Sequence, residues 1–289
     1  MYYLDLTIQG LVFGSMYALM ALGLTLIYGL MRILHVAHSI VFTLGAYICV
    51  VVTNSSGSLW LGAFVAIALA AIVGVLIYRL IYEPLLSRPP LVPLIASVGL
   101  TILMEDAFRI VFGNLGLSFD NNPWLYETVD FAGLSVGLLQ VTMFITAAVV
   151  LSGFAAYVNF NRVGISWRAT LSNPQMATSF GINVGRVHDV NFAVGSAFAG
   201  VAGVLVALLN NYVEPTMGMV VGYKTLAIIV LGGLGNMAGA LVGSLLLGVA
   251  ESFGTIYLTN VLDRDAIAAV FLILVLMLRP HGLLRKRVA

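Results

Sequence analysis

Apolar stretches of about 20 residues, the length a helix needs to cross a bilayer, recur along this chain with only short polar breaks between them. They fall at approximately 6–30, 38–53, 59–82, 93–112, 138–160, 188–211, 237–258 and 262–279. A ninth candidate, Gly222 to Leu231, is shorter and runs into Gly232-Gly233-Leu234-Gly235-Asn236, so it reads as a half-helix or a short tilted span. At 61% hydrophobic and 9% charged residues, the chain lacks the charge that would surface a water-soluble globule of its size. The expected fold is all-α: a polytopic transmembrane helix bundle of about 8–9 spans with a broken or half helix near residues 222–236, in a single membrane domain over residues 1–289.

Several function classes drop out at this point. A net charge of +1, with basic residues clustered only in the C-terminal tail, gives no support for nucleic-acid binding. The single cysteine, Cys49, excludes an intrachain disulfide and any multi-cysteine metal site. The N-terminus carries no basic segment ahead of its apolar run, so Leu6 to Leu30 reads as a mature span, not a cleaved leader. There is no Gly-x-x-x-x-Gly-Lys-Ser/Thr loop to cradle a nucleotide phosphate and no His-Glu-x-x-His pair. Gly-Ile-Ser-Trp-Arg around Ser166 lacks the second glycine of a nucleophile elbow, so enzymatic chemistry in this chain has little support.

Short loops rich in Lys and Arg stay on the cytoplasmic side of a membrane. That rule puts Arg32, Arg79, Arg88, Arg162, Arg168, Arg186 and the Arg285-Lys286-Arg287 tail inside. The loop Asn54 to Ser58, which is uncharged, and the loop Gly113 to Gly137, with Asp120, Glu127 and Asp130 and no basic residue, go outside. An outside N-terminus and a cytoplasmic C-terminus follow if Gly222 to Leu231 crosses as a ninth pass, but Lys224 and Arg264 then lie outside, against the rule. Small residues four apart, Gly195-Ala199-Gly203 and Gly239-Gly243, predict closely approaching helices.

The one long polar interruption is Asn159 to His188. Within it Asn173 suits a helix cap, Pro174 the first helical position and Gly181 a left-handed stop, which together predict a two-turn helix. Met176 and Phe180 stand four apart on one face, with Ala177 beside them keeping that face shallow. A capped helix showing Met and Phe outside the membrane invites a protein partner.

Four further features carry polar chemistry. His35 and His38 are three apart and share a helical face with Phe42, at a membrane boundary or within a re-entrant turn; they cap helix ends, line a polar cavity or sit at the interface, since a metal site would need a third ligand that nothing nearby supplies. Glu105 and Asp106 stand four and three residues before Arg109, which makes either an internal ion pair or a proton or substrate contact. Glu251 lies in an apolar span with no evident partner. The turn from Gly232 to Asn236 is either unwound backbone lining a path at membrane depth or a tight surface turn.

These motifs, in this order, resemble the permease subunits of branched-chain amino-acid ABC importers. The resemblance is carried by residues 14–29 (Gly-Ser-Met-Tyr-Ala-Leu-Met-Ala-Leu-Gly-Leu-Thr-Leu-Ile-Tyr-Gly), Ala37-His38 with Leu44-Gly45-Ala46-Tyr47, Arg168-Ala169, Ala177 and Gly181-Ile182-Asn183. It continues through residues 230–240 (Val-Leu-Gly-Gly-Leu-Gly-Asn-Met-Ala-Gly-Ala) and 278–284 (Leu-Arg-Pro-His-Gly-Leu-Leu). Length and the short N-terminus look like the shorter of the two homologous permeases of such systems. The resemblance implies a bacterial-type inner-membrane importer that moves branched-chain or related amino acids by alternating access. Two permeases would form the path, ATP-binding cassette subunits carrying ATP and Mg would power it, and an extracytoplasmic substrate-binding protein would deliver the ligand; this chain itself would hold no cofactor.

On that basis residues 159–188 become the cytoplasmic coupling loop, with Arg168, Pro174, Met176, Ala177, Phe180, Gly181 and Ile182 facing the ATPase. The path falls to His35, His38, Ser39, Glu105, Gly232, Gly233 and Asn236. Where the family usually has Asn-Phe-Ala-His-Gly this chain has His35-Val-Ala-His-Ser39, and where it usually has Gln-Asn this chain has Glu105-Asp106, differences that bear on which solute is preferred. The alternative from another class is a stand-alone secondary transporter or channel for a small polar solute, driven by an ion gradient through Glu105, Asp106 and Glu251; a membrane hydrolase using His35 or His38 is a third.

Overall fold

The computed structural model describes residues 2–120, 127–131, 134–258 and 264–278. The C-terminal motif at 279–284 and the basic tail Arg285 to Arg287 lie outside the described residues. The first helices are α1 (Tyr2–Met31), α2 (His38–Ser56) and α3 (Leu59–Ile77), the last running through a π-helical turn (Tyr78–Tyr82) into α4 (Glu83–Leu85). There follow α5 (Leu91–Phe112), α6 (Leu138–Phe160), α7 (Arg162–Ser172), α8 (Pro174–Ser179), α9 (Val184–Asn210), α10 (Met217–Gly232), α11 (Met237–Leu258) and α12 (Arg264–Leu278). Extended structure is confined to β1 (Leu117–Ser118), antiparallel to β4 (Tyr212–Val213), and a hairpin of β2 (Thr128–Phe131) with β3 (Leu134–Gly137).

Among the described residues, 7 helical segments are long and apolar enough to span a membrane, and α10 and α12 are shorter apolar helices of 16 and 15 residues. Burial sorts them by position. Within the bundle, 89% of the α1 window and 78% of the α9 window are buried, against 11% for α6, so α1 and α9 form the centre and α6 faces outward. Glycines let α1 lie tightly between two neighbours: a Cβ on Gly10 would sit 2.6 Å from the Val249 Cα of α11, and one on Gly23 would sit 2.7 Å from the Gly195 carbonyl of α9.

The two ends of the bundle are told apart by their cross-links. At one end the Asn54 side chain donates to the Ser118 carbonyl at 2.9 Å, and Ser118 pairs with Tyr212, which gathers the ends of α2, α5 and α9. At the other end lie α7, α8 and the turn after α10, where Gly235 rests against Gly29 near the end of α1. Helix α10 starts just after β4 and finishes beside Gly29, so it traverses the bundle. The stretch read as a half-helix or short tilted span at 222–231 is thus part of a 16-residue helix that begins five residues earlier, because the apolar run Met217 to Val221 joins it once Glu214 to Thr216 has turned.

Lys224 therefore sits within α10 and not in a loop, which removes its conflict with the charge rule. Its ammonium is 2.8 Å from Glu251 of α11 and 2.9 Å from Asp265 of α12. Tyr17 of α1 joins the cluster, donating to Glu251 at 2.8 Å and accepting from Lys224 at 3.3 Å. Glu251, expected to have no partner, is thus paired; intramembrane charges are held by one another because lipid offers no solvation.

Candidate functional site

After Met31 the chain does not continue to the surface; Arg32, at φ 53°, turns it back into the bundle. Helix α2 begins level with Gly23, where a Cβ would come 3.0 Å from His38 Nε2. Gly23 precedes the end of α1 by eight residues, so the start of α2 is buried about 12 Å inside that end. A helix start exposes backbone N–H groups that lipid cannot satisfy. Here Ala37 donates to the Ser97 hydroxyl of α5 at 2.9 Å, and His38, Ser39 and Ile40 donate to the carbonyls of His35, Val36 and Ala37 at 3.2, 3.3 and 3.1 Å. The positive end of the α2 dipole is thereby held within the membrane-spanning region.

Two imidazoles stand at this buried start. His35 is fully buried and its Nδ1 lies 2.6 Å from the Tyr82 hydroxyl on the π-helical turn. Phe192 of α9 packs against the same ring at 5.5 Å between centroids. His38 is likewise buried, its ring 5.8 Å from that of His35. His38 is held to the Met20 backbone of α1 by a hydrogen bond, whereas Nε2 of His35 has no hydrogen-bond partner among the described residues. Buried polar atoms are paired in the great majority of cases, so the unpaired His35 nitrogen beside a second buried imidazole marks this position as a candidate site.

A narrow cleft adjoins them, with no room for a water, walled by Met20 and Leu24 of α1, by His35, His38 and Ser39, and by Gly222, Thr225 and Leu226 of α10. Helix α10 touches α2 there through glycine: a Cβ on Gly222 would meet the Ser39 Cβ at 2.7 Å, and Gly218 lies against the Ser39 carbonyl and the Thr43 hydroxyl. Half of this wall is aliphatic and half is polar.

The structure brings His35, His38 and Ser39 together and leaves the other expected path residues elsewhere. Glu105 bonds Arg109 at 2.5 Å, and Asp106 bonds the same guanidinium at 2.9 Å, so the internal ion pair is the arrangement found. Gly232 to Asn236 form a tight turn at the end of the bundle: Gly233 and Gly235 take φ of 96° and 78°, Asn236 N–H bonds the Gly233 carbonyl at 2.9 Å, and its side chain caps Gly239 at 3.2 Å. Gly232 and Gly239 pack backbone to backbone, leaving no space for a side chain on either. The turn joins α10 to α11 at the same end of the bundle as Gly29.

The polar segment folds as its local signals dictate. Asn173 accepts from the Met176 N–H at 3.0 Å, Pro174 opens α8, and Gly181 has φ 83°. Ile182 N–H closes the turn on the Ala177 carbonyl at 3.0 Å. Met176 and Phe180 are 61% and 81% exposed, while Ala177 is only 2% exposed. Ala177 therefore does not share the outward face, as expected from its place beside them, but anchors α8 inward, one residue being a 100° rotation on a helix. Arg168 bonds the Val158 carbonyl at 3.2 Å and so ties α7 back onto α6. The segment then passes directly into α9, whose first turn is capped by Asn183 accepting from Arg186 N–H at 3.0 Å.

Two features went unread in the sequence. The Asn183 cap carried the same signal as Asn173, an Asn ahead of a helical run. The Lys224–Glu251–Asp265 cluster was signalled only by a lone Lys224 and a lone Glu251, opposite in sign, in two successive apolar segments, with Asp265 among other charges at the start of the next.

Comparison with known proteins adds the following. The family described as branched-chain amino acid transport system, permease component, matches residues 6–279. The high-affinity branched-chain amino acid transport system permease protein LivH of Salmonella typhimurium is 30% identical over 99% of this chain and 96% of its own length. The corresponding permease protein BraD of Pseudomonas aeruginosa is 31% identical, with the same coverage of 99% and 96%. The permease protein LivM of Salmonella typhimurium is more distant, 24% identical over 93% of this chain and 67% of its own length. No solved structure matches.

Proposed function

The chain belongs to the permease family of branched-chain amino-acid transport systems, a family of multi-pass transport components and not of enzymes, and from that premise we propose that it forms one wall of an ATP-driven path for branched-chain or closely related amino acids. The observation that carries the site is the buried start of α2, where two buried imidazoles stand 5.8 Å apart and Nε2 of His35 is unpaired. An amino-acid zwitterion entering there would meet the positive end of α2 and imidazole donors with its carboxylate. Its aliphatic side chain would face Met20, Leu24 and Leu226. His35, His38 and Ser39 are the path residues of this reading.

In the state described the cleft is closed, and it opens when α10 slides off Ser39 along its glycine-faced contact. The driving push enters at α8. Met176 and Phe180 are the knobs offered to the ATP-binding cassette subunit, which binds ATP and Mg in place of this chain; Arg168, Pro174, Gly181 and Ile182 hold the knobs in position. Helix α9 follows α8 after a four-residue link and carries Phe192, which packs on His35 at 5.5 Å and on Tyr78 at 5.2 Å, so a displacement of α8 reaches the imidazoles through one rigid helix. In this arrangement α8 faces the cytoplasm, the Asn54 end faces outside, the N-terminus is external and the C-terminus cytoplasmic. A second homologous permease, of which LivM-type relatives are the pattern, completes the path, and an extracytoplasmic binding protein supplies the solute.

The ion-gradient alternative draws less support, because Glu105, Asp106 and Glu251 are each engaged in ion pairs. The test is reconstitution. The complete complex is expected to take up labelled leucine, isoleucine or valine only with ATP and binding protein. Gradient-driven uptake by this chain alone would refute the proposal.

A further inference from the structure

A groove of about 340 Å³ opens between α6, α7 and the start of α9, away from the path. Its walls mix polar and apolar side chains. Ser166, Asn183 and Arg186 lie at the end where α7 meets α9, and Phe154, Val190 and Val194 line it deeper along the helices. Trp167, only 9% exposed, backs it, held edge-on to Phe154 at 5.5 Å. Asn191 adds one polar group to this deeper part, and α6, the most outward-facing of the long helices, forms one bank.

Charge distinguishes which amphiphile fits. Arg79 is committed to Asp189 at 2.7 Å, Arg109 to Glu105 and Asp106, and Arg168 to the Val158 carbonyl. Arg186 is exposed, lines the groove and has no carboxylate within ion-pair distance among the described residues. A free guanidinium at the mouth of an apolar groove, with a serine hydroxyl and an asparagine beside it, offers bidentate donors to a phosphate. We propose that this groove is a binding site for an anionic phospholipid, its phosphate held by Arg186 and one acyl chain laid along Phe154, Val190 and Val194.

The test reads Trp167. In a full chain carrying Trp60→Phe and Trp124→Phe it is the only one of three tryptophans left. In nanodiscs, phosphatidylglycerol with brominated acyl chains is expected to quench Trp167 at a mole fraction about fivefold lower than brominated phosphatidylcholine, the effect of one Arg–lipid contact. Arg186→Gln should abolish the difference, and Arg186→Lys, which keeps the charge, should retain most of it. Equal quenching by the two headgroups, or a preference that survives Arg186→Gln, would overturn the assignment. So would shielding of Trp167 from both lipids once the other subunits assemble, which would give the groove to a protein neighbour.

Discussion

Lys224 offers the sharpest test of how this bundle is held together. Its ammonium neutralises Glu251, which is 0% exposed, and Asp265, whose side chain is 50% exposed. Replacing Lys224 by Met strands the Glu251 carboxylate in the interior, and breaking a buried pair from one side costs about 3–5 kcal/mol. Asp265 keeps its water and adds less than about 1 kcal/mol. The protein supplies its own reporter: Cys49 is the single cysteine and is buried in α2, so a thiol-reactive dye labels it only when the bundle opens. At about 1.4 kcal/mol per tenfold, Lys224→Met should speed labelling about a hundredfold or more. Glu251→Gln, which leaves the Lys224–Asp265 contact, should have a smaller effect of about tenfold, and Asp265→Asn a still smaller one. Replacing both Lys224 and Glu251 by Met removes the stranded charge and should return the rate to within about tenfold of the unaltered protein. Labelling at the original rate in Lys224→Met, or a double variant no slower than the single one, would refute the view that the pair is electrostatically buried.

Other outcomes follow from the proposed path and docking knob. Phe180→Asp should weaken association with the ATP-hydrolysing subunit by roughly thirtyfold, the effect of losing an aromatic anchor worth about 2 kcal/mol, while insertion into the membrane is unchanged; pull-down from membranes measures it. His38→Ala should lower ATP-dependent uptake by about 10–100-fold if the ring bonds the solute carboxylate, with complex assembly intact on size-exclusion chromatography. Phe192→Ala should leave ATP hydrolysis running while uptake falls, read as a changed ratio of the two rates. Gly45→Val forces a side chain onto the Gly200 backbone, where even a Cβ would approach to 2.8 Å, and should cost about 1–3 kcal/mol and reduce the amount of assembled complex.

What could be read from the sequence divides along the range of the interactions involved. The spans were legible because each depends only on its own run of apolar residues, and α8 was legible because Asn173, Pro174 and Gly181 act within a few residues. The depth of the α2 start was not, since no local pattern says that residues 32–37 fold inward. That depth is set by Ser97 reaching Ala37 across 60 positions and by Tyr82 reaching His35 across 47. The Tyr17–Glu251 bond spans 234 positions, so each group looked isolated in its own helix. At α10 the apolar run marked the helix but not its start, which lies five residues earlier at Met217.

The central place of α1 has a consequence for how the molecule is made. Its tight contacts are with α9 and α11, and Gly10 rests on Gly248, which lies 238 positions later in the chain. At roughly 5–20 residues per second of synthesis, the helix that ends up most enclosed waits about 10–50 s in the bilayer before its neighbour is made. During that interval the face of α1 that α11 will cover must be tolerated by lipid and by membrane proteases. Polar substitutions on the buried faces of α1 should accordingly act first on survival of the nascent chain, before any defect in transport can be measured.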